Sequence, residues 1–82
     1  MSAKLKRLSG PDVVKALLRL GFETVEQRGS HVKLRRFSQQ GEKQTLVVPA
    51  HDELDAGTLR AIMRQASRYV PEEQLRQIFY SD

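Results

Sequence analysis

His31 and the basic residues that follow it are the side chains of this chain best suited to chemistry. His31 comes directly after Gly29-Ser30, and Lys33 and Arg35 follow at alternate positions. Alternate side chains of a β-strand point to the same face, so these three residues are predicted to share one surface. Histidine exchanges protons near neutral pH, and Lys and Arg bind phosphate. The pattern therefore predicts a surface suited to a phosphate backbone.

Such a surface could cleave RNA. RNA carries its own nucleophile, the 2′-hydroxyl, so cleavage needs a base, an acid for the leaving 5′-oxygen and positive charge near the phosphate. A histidine with neighbouring cations can supply these functions without a metal. Gly29 would let the backbone approach a phosphate closely, and Ser30 offers a hydroxyl donor. The alternative is that Gly29-Ser30 is only a hairpin turn and His31 an ordinary exposed strand residue.

His51 is the second candidate for proton transfer. It lies in a polar loop and could be an acid–base partner of His31, or a residue that orders the loop. Two histidines with Asp52 or Glu53 could bind zinc, but their spacing matches no known ligand motif. We therefore predict no metal site and no cofactor.

Composition favours one small basic domain over residues 1–82. The chain has 82 residues, a formal net charge of +4 and 39% hydrophobic residues, enough for one core. Residues 1–7 form a basic arm in which Lys6 and Arg7 could contact phosphates, and the overall charge favours a polyanionic partner. Aromatic residues are only 6%, so base stacking is not expected to be the main binding mode.

The cellular location is predicted from what the sequence lacks. There is no Cys, which is compatible with a reducing compartment. No apolar run approaches the roughly 20 residues of a membrane span, and the basic N-terminus lacks the apolar region of a signal peptide. We expect a cytoplasmic protein that does not bind membranes.

Hydrophobic periodicity predicts an α+β fold with the order α-β-β-β-α and a further short C-terminal helix. The expected elements are a helix capped by Ser9 and ended by Gly21, strands over 22–28, His31–Phe37 and 44–49, a helix capped by Asp55, and a helix over 71–80. Two helices on one face of a three-stranded antiparallel sheet resemble the double-stranded RNA-binding domain. The other sheet face would remain open.

Two details of this arrangement are expectations that the structure can test. A hairpin loop over 38–43 would pair Phe37 with Gln44 and place His31 opposite Ala50, one residue from His51. On the second helix an exposed stripe, formed by Arg60, Arg64 and Arg68, could contact phosphates or simply be a solvated face.

Several segments, in order and at these spacings, resemble the HicA (YcfA-like) toxin family. The segments that carry the resemblance are Ser9-Gly10-Pro11-Asp12-Val13-Val14-Lys15-Ala16-Leu17, Gly21-Phe22, Gly29-Ser30-His31, Val48-Pro49-Ala50-His51 and Gly57-Thr58-Leu59-Arg60-Ala61-Ile62-Met63-Arg64-Gln65-Ala66. The chain departs from the family where Ala66-Ser67-Arg68 replaces the usual Ala-Gly-Leu. It also carries a longer C-terminal helix than the family's core motif needs.

The resemblance implies an mRNA interferase, the toxin of a bacterial type II toxin–antitoxin system. Such a toxin is a metal-independent endoribonuclease that cleaves mRNA and inhibits translation as part of a stress response. The family's catalytic histidine falls on His31, and its second histidine falls on His51, to which no role is assigned. The implied partner is a HicB-type antitoxin that covers the active site. Operator DNA would be bound only indirectly, through the antitoxin.

Two other functions use the same residues differently. A non-catalytic RNA-binding module with the same fold would need the basic face but not His31. A protein-interaction subunit would use that face to bind an acidic partner, and its binding would then be salt-sensitive without any affinity for RNA.

Overall fold

A three-stranded antiparallel sheet with three helices makes up most of the computed structural model, which describes residues 3–81. The elements in chain order are β1 (Lys4–Leu5), α1 (Gly10–Arg19), β2 (Glu23–Arg28), β3 (His31–Phe37), β4 (Lys43–Pro49), α2 (Ala56–Ala66), α3 (Glu72–Phe79) and β5 (Tyr80–Ser81). The sheet order is β2-β3-β4, with both pairs antiparallel. The predicted α+β class, the three-stranded sheet and the additional C-terminal helix are confirmed.

One hydrophobic core joins the helices to a single face of the sheet. Val32 and Leu34 of β3 are buried there together with Leu46 and Val48 of β4. The helices contribute buried residues at helical spacing, namely Val13, Leu17, Leu59, Ile62, Ala66, Leu75 and Phe79. Met63 is only partly buried, at the edge of this core. Because all three helices cover the same face, the other face of the sheet remains open.

The helix starts form as their sequences predict. Ser9 and Asp12 make a reciprocal capping box at 3.0 Å, and the Asp55 carboxylate accepts the Thr58 N–H at 2.7 Å. Hydrogen bonds with Ser9 lower the pKa of Asp12, and those from Thr58 lower the pKa of Asp55. A carboxyl group whose pKa falls on folding stabilises the fold above its ordinary pKa. That contribution is lost as the pH drops through the lowered value.

The predicted register between β3 and β4 is wrong by one residue. Phe37 pairs with Lys43 and His31 with Pro49, because the hairpin loop is 38–42. Ser38 closes this loop by donating to the Glu42 carbonyl at 2.9 Å, and Gly41 adopts a φ of 84°. A shift of one residue would turn the buried side chains of β4 to the open face, so burial fixes the observed register.

The ends of the chain form a second, two-stranded sheet that the sequence did not predict. Leu5 pairs with Tyr80, and the Lys6 N–H donates to the Phe79 carbonyl at 2.8 Å. Helix α3 therefore ends at Phe79 rather than at Tyr80. The first two residues of the predicted basic arm lie outside the described residues.

Arg36 ties β3 to the end of α1 and to the turn that follows α2. Its guanidinium donates to the Gln44 side chain at 2.7 Å, the Leu20 carbonyl at 2.8 Å and the Tyr69 carbonyl at 3.0 Å. It also lies 4.6 Å from the ring centre of Phe22. The last carbonyls of a helix lack partners within the helix and carry partial negative charge, so a half-buried cation is well placed there.

Gly10 brings the start of α1 into contact with the end of β4. A Cβ at this position would overlap the Pro49 carbonyl oxygen and lie 2.7 Å from the Ala50 Cα. The Gly10 N–H donates to the His51 carbonyl at 2.8 Å. Because Gly10 has no side chain, the start of α1 can lie this close to β4, and the hydrogen bond from Gly10 holds the loop that follows β4.

Replacing Arg36 is expected to destabilise the whole fold. Arg36→Ala leaves three acceptors without their donor, and Arg36→Lys cannot restore the forked geometry, so each should lower the unfolding free energy by about 2–4 kcal/mol. Chemical denaturation followed by circular dichroism measures this. Arg35→Ala, one residue away on the open face, is the matched control and should cost less than about 1 kcal/mol. Equal effects at the two positions would contradict the role given to Arg36.

Two glycines in first helical turns should respond oppositely to alanine. Gly10→Ala must displace the backbone of β4, so we expect a loss of about 1–3 kcal/mol in unfolding free energy. At Gly57 an added Cβ meets only the Asp55 carboxylate, at 3.5 Å. Gly57→Ala should therefore be neutral or stabilising by up to about 1 kcal/mol. Thermal unfolding of both variants measures the difference, and a stable Gly10→Ala protein would refute the close contact.

Candidate active site

The open face of the sheet carries His31, Lys33 and Arg35 side by side along β3, as predicted. The intervening Val32 and Leu34 are buried on the opposite face. The pairing of the strands places further side chains around them, namely Glu23, Glu26 and Arg28 from β2, Phe37 from β3, and Lys43, Thr45, Val47 and Pro49 from β4. Four basic and two acidic residues thus surround one exposed histidine.

Arg28 lies directly opposite His31 in the β2–β3 pair. Its Nε binds the Glu26 carboxylate at 2.6 Å, and its side chain is 87% exposed. This ion pair is therefore exposed and contributes little stability, and Arg28 lines the same groove as His31. The guanidinium's remaining N–H groups are free to meet a ligand.

A bulge in β2 turns Arg28 and Glu26 to this face. The register of β2 shifts between Thr24 and Glu26. Simple alternation from the buried Phe22 would place Arg28 on the helix side, whereas the bulge reverses the alternation. A shallow groove of about 380 Å³ results, lined by Glu26, Arg28, His31, Lys33 and Val47.

Gly29 and Ser30 form the two-residue turn between β2 and β3. Gly29 has a φ of 54° and Ser30 does not have a positive φ, the combination that a type II′ hairpin turn requires. Gly29 and Ser30 therefore form the hairpin turn, and residues in such a turn can still contact a ligand. Nothing lies within 4 Å of a Cβ added at Gly29, so the turn is open to an approaching ligand.

The His51 loop is held at the same end of the sheet as His31. The Ala50 N–H donates to the Ser30 carbonyl at 2.5 Å, and the His51 carbonyl accepts from α1 through Gly10. Both histidines are exposed. Within residues 3–81 neither imidazole forms a hydrogen bond, so the nitrogens of both remain available to a substrate.

Other basic residues singled out from the sequence lie away from this face. Lys6 donates through Nζ to the Gln77 carbonyl of α3 at 3.2 Å, and Arg7 is exposed nearby in the chain. Arg60 and Arg64 line a groove between α2 and α3 on the helix side of the molecule. The contacts of Lys6 place it against the helices and not beside His31.

Residues 3–81 contain no cluster of three His, Cys, Asp or Glu side chains that could hold a metal ion. In the same part of the chain, no helix has the length and apolar character needed to cross a membrane.

Arg28 and Glu26 are the site residues that sequence reasoning missed. A signal for Arg28 was present, because a two-residue hairpin turn at Gly29-Ser30 forces the flanking residues to pair. Glu26 faces the site only because of the bulge, and the sequence of β2 has no feature that predicts a bulge. Phe37 followed from correct alternation along β3 but was not connected with the site. Val47 was missed because the predicted register, shifted by one residue, would have turned it to the opposite face.

Comparison with known proteins assigns the family. The family model described as HicA toxin of bacterial toxin-antitoxin matches residues 10–67, well over half of the chain. No curated protein and no solved structure matches the chain. The matched region runs from the first residue of α1 to just beyond α2 and contains the groove, the turn and the His51 loop. On this match, the chain belongs to the HicA toxin family of bacterial toxin–antitoxin systems.

Proposed function

We propose that this toxin is a metal-independent endoribonuclease that cleaves mRNA on the open face of its sheet. The observation that carries the proposal is the groove in which His31 lies between Arg28 on β2 and Pro49 on β4, with Lys33 two residues along the strand. An exposed imidazole beside two cations provides proton transfer and charge stabilisation together. Both are what cleavage by a 2′-hydroxyl needs.

In this mechanism His31 moves the proton and the cations hold the phosphate. As a base, the imidazole takes the 2′-hydroxyl proton while the oxygen attacks phosphorus and the bond to the 5′-oxygen breaks, forming a 2′,3′-cyclic phosphate. The leaving 5′-oxygen takes a proton from water or from His51. Arg28 and Lys33 neutralise the developing charge on the non-bridging oxygens. The exposed turn lets Gly29 and Ser30 approach the backbone of the substrate. His51, on the loop at the same end of the sheet, is the candidate for a second acid or base.

The same face would also bind the antitoxin. We infer that a HicB-type protein neutralises the toxin by covering this groove, which keeps mRNA from His31. The proposed place of action is the bacterial cytoplasm, where mRNA and antitoxin are both present. Operator DNA would be reached through the antitoxin alone, and Lys6 and Arg7 would add phosphate contacts away from the groove.

Cleavage of single-stranded RNA in the presence of EDTA tests the proposal. We expect the wild type to leave 2′,3′-cyclic phosphate ends and His31→Ala to lose at least about 100-fold in rate, because acid–base catalysis contributes that much or more. The wild-type rate should also depend on pH, because an imidazole can act as a base only in its neutral form and as an acid only in its charged form. Gel analysis of end-labelled RNA measures both.

His51→Ala is the matched control, since it removes the second exposed histidine from the same end of the sheet. It should keep at least about a tenth of the wild-type rate if His31 does most of the proton transfer. Equal cleavage by the wild type and His31→Ala would reject His31 as the catalytic group. RNA binding without cleavage by either protein would instead favour a non-catalytic RNA-binding module.

A further inference from the structure

Phe37 is an exposed aromatic ring on the same face as His31. Its exposed fraction is 56%, the largest among the exposed large hydrophobic residues of the described chain. The hydrophobic effect favours burying such a ring, and the core on the opposite face does not use it. Phe37 is the last residue of β3, and an even number of residues along the strand from His31 puts both side chains on the same face.

Arg35 lies against the Phe37 ring and places a cation beside it. Its guanidinium carbon lies 5.3 Å from the centre of the Phe37 ring, a cation–π distance. The guanidinium lies over the ring, and more than half of Phe37 remains exposed to solvent. A cation and an open aromatic surface, side by side, match the phosphate and the base of one nucleotide.

We propose that Phe37, supported by Arg35, is a base-stacking subsite for single-stranded RNA. The proposal rests on the proposed function and adds the class of substrate to it. Phe37 is six residues beyond His31 along the antiparallel strand, a distance of about 20 Å, so the stacked base lies several nucleotides from the scissile phosphate. Lys33 and Arg35 lie between the two points and can follow the backbone.

Single-stranded RNA is favoured over duplex by the nature of this contact. Bases in a duplex are stacked on each other and cannot offer a face to a side chain, whereas bases of a single strand can. Val47, 37% exposed on the same sheet face, adds a second apolar surface beside Lys33. A strand of RNA laid along β3 would thus meet cations at its phosphates and apolar groups at its bases.

Binding of an RNA oligonucleotide with methylated 2′-hydroxyls, which cannot be cleaved, tests the subsite. We expect Phe37→Ala and Phe37→Leu to bind about 5- to 100-fold more weakly than the wild type, and Phe37→Tyr to bind normally, because stacking requires the ring. On an oligonucleotide of equal length without bases, all four proteins should bind alike. Fluorescence anisotropy at several salt concentrations measures these affinities.

Two controls separate stacking from charge and from misfolding. Lys33→Ala should reduce the salt dependence of binding by about 0.7 in the log–log slope, whereas Phe37→Ala should leave that slope unchanged. Leu18→Ala removes an exposed apolar side chain from α1, where 44% of Leu18 is exposed, and should not change affinity.

The outcomes distinguish this inference from the function on which it rests. If the wild type binds no oligonucleotide even at low salt, the proposed RNA function fails, and the subsite fails with it. If the wild type binds but Phe37→Ala binds equally well, only the subsite is overturned. The same holds if Phe37→Ala weakens binding equally on the oligonucleotide without bases.

Discussion

The candidate site depends on which side chains of β3 face the helices, and Arg36 together with two buried residues decides this. Val32 and Leu34 are buried in the core. The Arg36 guanidinium donates to three acceptors, which lie just after α1, in β4 and in the segment after α2. With these even-numbered positions inside, the odd-numbered positions must face out. Two buried aliphatic side chains and a half-buried arginine with three hydrogen bonds therefore direct the catalytic candidate, His31, toward solvent.

A second constraint gathers the loops at the end of the sheet where His31 lies. Close contact between Gly10 and the end of β4 anchors the His51 loop to α1, while Ala50 binds the Ser30 carbonyl of the opposite turn. The site is thus built from strand residues and a short turn, with little freedom to rearrange. Its face carries more basic than acidic residues, as a phosphate backbone requires, and the exposed Glu26 orients Arg28 without burying charge.

Local patterns predicted the helices, the three strands and the face shared by His31 and Lys33, because capping residues and alternation act over a few residues. The features that were missed depend on distant partners. The strands at the chain ends have only two residues each, too few to show a hydrophobic period. Arg36 points inward because it donates to carbonyls that are distant in the sequence, which the local pattern does not show. The β3–β4 register could have been corrected from the sequence, since only the observed pairing buries Leu46 with Leu34.

The central claim, that RNA binds the open sheet face, is tested most directly by methyl NMR spectroscopy with an RNA that cannot be cleaved. Val47 and Leu18 are apolar residues with similar exposure. Val47 lies on the open face of the sheet, and Leu18 lies on α1, on the helix side of the molecule. The account predicts that RNA shifts the methyl signals of Val47 and the imidazole signals of His31, while those of Leu18 stay unchanged. Shifts at Leu18 without shifts at Val47 or His31 would place RNA on the helix side and contradict the account.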